Sequence, residues 1–229
     1  NEGNVRALLE VKLFNNCAQI MLIGGNFEEV IKGLDQVIFP SDKVKLSLDG
    51  EIRRVQKLSY YNYKRFNDPL WMSTDDELPK NLSSYYSASI KEFNEWRVSN
   101  GIPIGSGEIN GMFNPFELGL TDLIDLNKGC YLGQEKLAKI YRSGRVKQQL
   151  VCCASSLPLL AGQVLLKKLS GSGDLYKVGI ITSSNYNQEK ANFNSLAMVK
   201  SSSLNDKLFL EKSLEQLTIK VSNSFIPMN

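Results

Sequence analysis

The segment from Asn127 to Gly144 carries the residues best suited to chemistry in this 229-residue chain. Its sequence is NKGCYLGQEKLAKIYRSG, in which a glycine-bearing turn leads into a helix that we predict to begin near Gln134. Cys130 lies just before the amino end of that helix, and Lys128 is two residues away. A helix amino terminus and a nearby ammonium group both stabilise a thiolate, so we predict a lowered pKa for the Cys130 thiol. The segment therefore predicts a reactive or redox-active cysteine.

Cys130 has a second interpretation as a small packed apolar residue. Free cysteine is among the most buried residue types in proteins. The flanking residues, lysine, glycine, tyrosine, glutamine and glutamate, are poor core formers. The sequence therefore supports a packed cysteine and a reactive cysteine about equally. No histidine or obvious base is available to activate the thiol, so the residues alone leave its role open.

The absence of histidine excludes several classes of active site. Histidine is the usual general base near neutral pH and the commonest metal ligand. Ser-His-Asp triads, Cys-His sites, zinc metalloproteases of the H-E-x-x-H type and zinc deaminases are therefore excluded. The four cysteines form no C-x-x-C pair, and Cys152 and Cys153 point to opposite faces of a predicted strand. We expect no metal site, and reduced thiols in a cytoplasmic compartment.

The charge balance limits the partners that the chain can be expected to bind. Lysine and arginine outnumber aspartate and glutamate by 27 to 24, which gives a formal net charge of +3. This mild excess favours anionic ligands but is too small for a dedicated nucleic-acid binder. The first apolar stretch, Val5 to Phe14, contains three charged residues, which argues against a signal peptide there. We therefore expect neither direct nucleic-acid binding nor membrane binding.

Residues 1–144 are predicted to form an α+β unit. A first helix is capped by Asn26, and a second begins with the capping box of Ser89 and Glu92. Asn67 to Ser84 is predicted to be a loop. The predicted strands are Val5 to Phe14, Gln19 to Ile23, Val44 to Leu48 and Val55 to Tyr61. The predicted buried face of the second helix is Ile90, Phe93 and Trp96.

Residues 145–229 are predicted to form a small all-β unit, which we interpret as a barrel. Short apolar runs alternate there with turn residues: Val146 to Ala154, Val164 to Leu169, Val178 to Thr182, Leu196 to Lys200 and Leu217 to Val221. The boundary is placed near Gly144, where this character begins. The predicted fold class is therefore α+β with a carboxyl-terminal β-barrel.

Three other features carry candidate binding groups. Glu117 lies in a loop rigidified by Pro115, where a buried carboxylate would suit the N–H donors of a pterin-like ring and a solvated acid is the alternative. Arg97 would either bind an anion or only support the dipole of its helix. The glycine-rich run from Gly105 to Gly111 resembles a phosphate-binding loop only superficially, because it follows no clear strand and opens no helix.

The run KGCYLGQE, from Lys128 to Glu135, resembles the signature K-G-C-Y-x-G-Q-E of the YgfZ family, and all seven specified positions match. An R-x(3)-G-x-P element of that family is similar to the segment beginning at Arg97, and its P-x-E element is similar to the segment beginning at Pro115. The likeness is strong over residues 96–144 and looser elsewhere.

The resemblance implies a fold like that of the glycine-cleavage T-protein, with a folate-binding core of ferredoxin-like α+β units and a small β-barrel. It implies an accessory role in the assembly or repair of iron-sulfur clusters, including those of tRNA-modifying enzymes. The implied partners are a reduced folate such as tetrahydrofolate, and iron-sulfur client proteins. Cys130 would be the functional thiol, and the implied cofactor-binding positions are Arg97, Glu117, Lys128, Tyr131, Gln134 and Glu135.

Two alternative functions stay open beside this interpretation. The sequence leaves undecided whether the protein is an enzyme. One is a folate-dependent one-carbon transferase resembling aminomethyltransferase, although the T-protein typically lacks the cysteine in this turn. The other is a protein-interaction module that binds no ligand. Family members open with an additional strand-and-helix segment that contributes to the folate cavity. This chain is expected to lack that segment, which favours the interaction module.

Overall fold

The computed structural model describes residues 3–48, 50–58, 69–168, 171, 173–187, 191–211 and 217–221. Helices and strands are mixed along these ranges, so the predicted α+β class is confirmed. No helix in the described ranges has the length and apolar character needed to cross a membrane.

An antiparallel hairpin and a capped helix come first. Strand β1 (Ala7–Leu13) pairs with β2 (Ala18–Gly25), as the two predicted strands required. Helix α1 (Phe27–Asp35) follows. The side chain of Asn26 accepts a hydrogen bond from the backbone N–H of Glu29 at 3.0 Å, which confirms the predicted cap. The cap satisfies an N–H group that the first helical turn leaves without an intrahelical partner.

A second hairpin corrects the predicted strand pattern. Strand β3 (Ile52–Val55) pairs with β4 (Leu70–Ser73), which lies inside the segment predicted to be a loop. The predicted strand at Val44 to Leu48 is wrong, because these residues join no ladder. The last part of the predicted strand Val55 to Tyr61 lies outside the described residues. The short helix α2 (Lys80–Ser83) follows β4.

One acidic side chain links the two hairpins. Glu10 of β1 accepts hydrogen bonds from Arg54 of β3, the shorter at 2.6 Å, and from the indole N–H of Trp71 of β4 at 2.9 Å. These bonds lower the pKa of Glu10, although partial burial opposes them. The ionised carboxylate thus holds β3 and β4 beside β1.

Helix α3 (Ile90–Ser99) has the predicted capping box at its amino end. Ser89 N–H donates to the Glu92 carboxylate at 2.8 Å, and Glu92 N–H donates to Ser89 Oγ at 3.3 Å. The predicted buried face is partly wrong. Trp96 is buried, but Ile90 is 82% exposed and the unpredicted Val98 is buried, because the later turns of the helix make its packing contacts.

Helix α4 (Gln134–Ser143) begins and ends where the sequence predicted. Gly144 ends it in the left-handed region, with φ of 61°, and its N–H donates to the carbonyl of Tyr141 at 3.1 Å. Glycine adopts this conformation without the penalty that a Cβ atom would add.

Six antiparallel strands follow in one sheet, in the spatial order β10, β5, β8, β7, β6, β9. Their bounds are Gln148–Ser155 for β5, Val164–Lys168 for β6, Leu175–Asn187 for β7, Asn192–Lys200 for β8, Leu208–Leu210 for β9 and Thr218–Val221 for β10. The described ladders leave β10 and β9 as edges and form no closed barrel. A backbone hydrogen bond from Leu217 N–H to the Leu208 carbonyl, at 2.9 Å, joins the two ends of the sheet.

One hydrophobic cluster combines residues from both sides of the predicted boundary near Gly144. Val98 of α3 and the loop residues Phe113 and Leu118 pack with Leu150 and Leu196 of the sheet. Burying such side chains is the main favourable contribution to folding. The division of the chain into two domains stays a prediction.

Candidate functional site

Cys130 is exposed, on a turn whose backbone is fixed by side chains. Asp125 accepts the backbone N–H of Lys128 at 3.2 Å. The Gln134 side-chain amide donates to the carbonyls of Leu126 at 3.0 Å and Lys128 at 3.3 Å. The turn therefore presents the thiol to solvent on an ordered backbone.

Lys128 and Tyr131 of the same turn contact each other. The Lys128 ammonium lies over the Tyr131 ring, 4.8 Å from its centroid, a distance at which a cation is attracted to an aromatic face. Tyr131 is half-buried and packs against Phe116 and Leu137. Burial, with a smaller contribution from Asp125, raises the pKa of the Tyr131 hydroxyl. The tyrosine thus anchors the turn to a hydrophobic cluster.

The start of α4 lies at the predicted distance from the thiol. The helix is capped by Gly133, whose φ is 85°, and Gln134 is its first residue. Cys130 precedes that cap by three residues, so it lies outside the first helical turn. Glu135 is exposed in that turn, where a carboxylate complements the helix dipole.

A cleft of about 1000 Å³ lies between the two hairpins and α3. Its walls are largely apolar and aromatic, with three cations from β3 and the segment after it. Drug-sized ligands bind in pockets of roughly this size and character. The polar and aromatic lining includes Arg53, Arg54, Lys57, Tyr85, Tyr86, Glu92, Phe93 and Trp96. None of the predicted site residues is among the residues that line it.

The charges in the cleft differ in how far they are already paired. Arg54 is paired with Glu10, and Glu92 accepts bonds from Tyr86 at 2.7 Å and from Ser89. These hydrogen bonds lower the pKa of the Glu92 carboxyl. The Nε atom of Arg53 is buried and makes no hydrogen bond among the described residues. The Arg53 guanidinium donates to the carbonyl of Asp76, and among the described residues neither Arg53 nor Lys57 forms an ion pair.

Lys57 adds a second cation beside an aromatic wall. Its ammonium donates to the Tyr85 hydroxyl at 2.7 Å and lies 4.2 Å from the centroid of that ring. Such a wall offers a flat ring a stacking surface and offers an anionic group a charge partner. The cleft is thus chemically suited to a planar ligand that carries a negative charge.

Arg97 binds groups of the protein in this structure. Its guanidinium lies 3.5 Å from the carboxylate of Glu108 and donates to Ser183 Oγ at 3.1 Å. Burial lowers the pKa of Arg97, and the Glu108 charge opposes that effect. Glu108 is 0% exposed and also accepts the N–H of Gly105 at 3.0 Å. The glycine-rich loop is therefore closed around a carboxylate, and it is not a phosphate-binding loop.

Glu117 is also buried, beside the sheet. Its carboxylate accepts the backbone N–H of Asn114 at 3.1 Å and a hydrogen bond from the side chain of Gln148. Burial nevertheless raises the pKa of Glu117, because desolvation of the charged form outweighs these bonds and the attraction of Lys136 and Lys147. Of the two interpretations of Glu117, a buried carboxylate or a solvated loop acid, the structure therefore supports the buried carboxylate.

Replacing Glu117 with glutamine tests the energetic cost of that burial. Because the pKa of Glu117 is raised in the folded state, this group contributes stability at pH values below its unfolded-state pKa near 4.5. That contribution is lost as the pH rises through the folded-state pKa. We expect Glu117→Gln to raise the free energy of unfolding at neutral pH and to remove this part of the pH dependence. Urea denaturation at a series of pH values measures both effects.

The exposed Glu135→Gln variant is the matched control for that experiment. It should change stability by less than about 0.5 kcal/mol, as surface substitutions usually do. A Glu117→Gln protein that is less stable than the parent at neutral pH would show that the negative charge itself is required there.

Sequence analysis missed Glu108, Arg53, Lys57 and Tyr85. Glu108 lies in the glycine-rich loop, and its Ser183 partner is 75 positions away, so no local pattern could indicate its burial. Arg53 lies in a strand that the sequence predicted only approximately, and Lys57 follows that strand. Among the described residues no group of three or more His, Cys, Asp or Glu side chains could hold a metal ion.

Comparison with known proteins gives matches to part of the chain. No protein-family model matches. A chloroplastic protein of Arabidopsis thaliana, provisionally named a transferase, is 37% identical over 87 residues, which are 38% of this chain and 19% of that protein. The tRNA-modifying protein YgfZ of Colwellia psychrerythraea is 35% identical over 88 residues, 37% of this chain and 26% of that protein.

A third relative is the mitochondrial iron-sulfur cluster assembly factor IBA57 homolog of Dictyostelium discoideum, 36% identical over 72 residues, 30% of this chain and 18% of that protein. The matches thus span about a fifth to a quarter of the length of these relatives. Among solved structures, the glycine cleavage system aminomethyltransferase T of Bartonella henselae aligns with a TM-score of 0.43 at 16% identity, over 58% of this chain and 38% of that one. The resemblance predicted from the cysteine motif is confirmed: part of the chain is similar, at modest identity, to the YgfZ and IBA57 proteins.

Proposed function

We propose that this chain is a folate-binding accessory protein for the assembly or repair of iron-sulfur clusters, including clusters of tRNA-modifying enzymes. The observation that carries the proposal is the exposed thiol of Cys130 on an ordered KGCYLGQE turn. Two relatives are named for iron-sulfur cluster assembly and tRNA modification. In this proposal Cys130 meets the client protein, and Lys128, Tyr131, Gln134 and Glu135 hold or flank the turn that presents it.

The cleft provides a site that fits a reduced folate. Its volume of about 1000 Å³ accommodates a pterin ring with its aminobenzoyl-glutamate tail. Tyr85 offers a face for a flat ring, and Arg53 and Lys57 offer positive charge to the glutamate carboxylates. The unpartnered, buried Nε of Arg53 supports an anionic ligand there. Contact of folate with Arg97 and Glu117 stays a prediction, since both side chains bind other groups of the protein.

The wider architecture and location are part of the proposal. A T-protein-like core with a small closed barrel is supported by the hydrogen bond that joins the two ends of the sheet. The free cysteines suit a compartment that keeps thiols reduced. The cytoplasm stays a prediction among such compartments, because two relatives are named for the chloroplast and the mitochondrion.

Calorimetric titration with tetrahydrofolate and replacement of the thiol test the proposal together. We expect saturable heat from wild type and from Cys130→Ala, because Cys130 does not line the cleft. We expect Cys130→Ala to fail to restore iron-sulfur enzyme activity in a strain that lacks the gene. Cys17→Ala is the matched control, because Cys17 is the other exposed free cysteine, and it should restore activity fully.

Two outcomes would contradict the proposal. Absence of heat at millimolar tetrahydrofolate removes folate from the function. Full restoration of enzyme activity by Cys130→Ala removes the thiol.

A one-carbon transferase is the second candidate, favoured by the provisional transferase name of one relative. The Cys130→Ala variant distinguishes the transferase from the accessory protein. One-carbon transfer from a methylene donor that persists in Cys130→Ala would support the transferase. The interaction module without ligand would be supported by the lack of any folate heat.

A further inference from the structure

The net positive charge of the chain is concentrated in one segment. Residues 121–147 contain three acids and six bases, an excess of three that equals the net charge of the whole chain, so the remaining residues are balanced. The six bases are Lys128, Lys136, Lys139, Arg142, Arg145 and Lys147, and all six are exposed. We call the three that lie on α4, Lys136, Lys139 and Arg142, the basic face.

The basic face is formed by helix geometry. Lys136, Lys139 and Arg142 are three positions apart on α4, and one helical face carries residues at such spacing. The axial rise of about 1.5 Å per residue spreads these three cations over roughly 9 Å. The opposite face of the helix, with Leu137 and Tyr141, packs on Phe116. The cations therefore point away from the core.

The cations of the basic face form no close ion pair in the described part of the chain, although Lys136 attracts the buried Glu117 carboxylate. No ion pair within 4 Å involves any of the six among the described residues, although Glu135 precedes Lys139 by four positions. The helix dipole accounts for Arg142 in the last turn but not for Lys136 in the first, where a cation is unfavourable. A concentration of like charge that the fold does not neutralise is suited to an anionic partner.

The basic face adjoins an exposed apolar side chain and the candidate thiol. Leu132 is 81% exposed and lies between Cys130 and the cap of α4. An apolar contact surrounded by charged residues is typical of protein–protein interfaces. Single-stranded nucleic acid is bound instead by exposed aromatic rings on which bases stack. The two tyrosines here do not provide them, because Tyr131 packs on the cluster of Phe116 and Leu137, and Tyr141 packs on Phe116.

We propose that the basic face docks an acidic surface of a partner protein, with Leu132 as its apolar contact. The inference rests on the proposed function in one respect: the partner is the client protein that Cys130 must reach. Docking on α4 brings an acidic surface next to the turn that carries the thiol, so charge complementarity selects and orients the client.

A helical peptide with glutamates along one face and one leucine among them is the probe. Its binding is measured by fluorescence anisotropy on the full chain. We expect the double variant Lys139→Glu, Arg142→Glu to weaken binding by about tenfold or more, because each reversal replaces an attraction with a repulsion. The control is Lys32→Glu, Lys45→Glu, which also reverses two exposed lysines, one of them in the last turn of a helix. It should bind the peptide as wild type does, apart from the small effect of total charge.

Added salt, a second ligand and a folate titration complete the experiment. We expect affinity for the peptide to fall as salt rises, and Leu132→Ala to weaken binding further. Tighter binding of an RNA hairpin of equal charge, or equal losses in the two double variants, would overturn the proposal. Tetrahydrofolate is titrated into the same variants and should bind to all of them. Absence of folate heat from wild type would contradict the proposed function and leave the docking result standing.

Discussion

Replacing Glu108 with alanine is expected to lower the free energy of unfolding by about 3–5 kcal/mol, the usual cost of removing one partner from a buried ion pair. Glu108 is 0% exposed, and its carboxylate lies 3.5 Å from the Arg97 guanidinium. It also accepts the hydroxyl of Ser183 at 2.8 Å and the N–H of Gly105 at 3.0 Å. The alanine variant leaves a mostly buried cation and an N–H group without their shared acceptor.

The position of Glu108 explains why a large effect is expected. Arg97 belongs to α3, Gly105 to the glycine-rich loop and Ser183 to β7, so one carboxylate joins three elements. The fit is tight, since a Cβ atom at Gly105 would lie 2.6 Å from the carboxylate.

Guanidinium chloride denaturation of the single and double variants measures the effect. Glu108→Gln keeps the shape and an acceptor oxygen and should lose less than Glu108→Ala. The double variant Arg97→Met, Glu108→Ala should lose clearly less than the sum of the two single losses, because it leaves no unpaired buried charge. Additive losses would show that Glu108 and Arg97 do not stabilise each other.

Local signals in the sequence predicted the helices well. Asn26, Ser89 and Gly144 act through hydrogen bonds to residues three positions away, so a short window of sequence contains the whole interaction. Burial was less predictable. Ile90 fits the apolar periodicity of its helix, but the sheet that covers α3 does not extend over its first turn.

The strands and the cleft were harder to predict from the sequence, because they depend on residues that are distant from each other in the chain. Val44 to Leu48 has the apolar content of a strand but pairs with nothing described, whereas Leu70–Ser73 is a strand because Ile52–Val55 lies beside it. The cysteine turn could be predicted, since its signature is contiguous. The cleft could not, because its walls come from β2, β3 and α3, and their meeting is a property of the fold.

Replacing Phe116 with alanine should lower the free energy of unfolding by about 3–5 kcal/mol, because a fully buried ring is lost and a cavity forms. Phe116 is 1% exposed and lies at the centre of the cluster beneath α4. Its ring centroid is 6.0 Å from that of Tyr141, and Leu137 and Tyr131 complete the contact. The side chain thus supports both the helix and the turn that holds Cys130.

The cavity at Phe116 should also release the cysteine turn. Amides of α4 should exchange hydrogen faster in Phe116→Ala than in the wild type. The rate at which Cys130 is alkylated should change, because the turn that holds it is no longer ordered, whereas Cys17 should be alkylated at the wild-type rate. Leu132→Ala is the matched control, since it removes an apolar side chain from the same segment that is 81% exposed, and it should change stability by less than about 0.5 kcal/mol. Equal losses in the two variants would show that α4 is not held through Phe116. A large loss in Phe116→Ala with unchanged exchange in α4 would place the weakened contacts in the sheet, and the thiol would then be ordered by Asp125 and Gln134 alone.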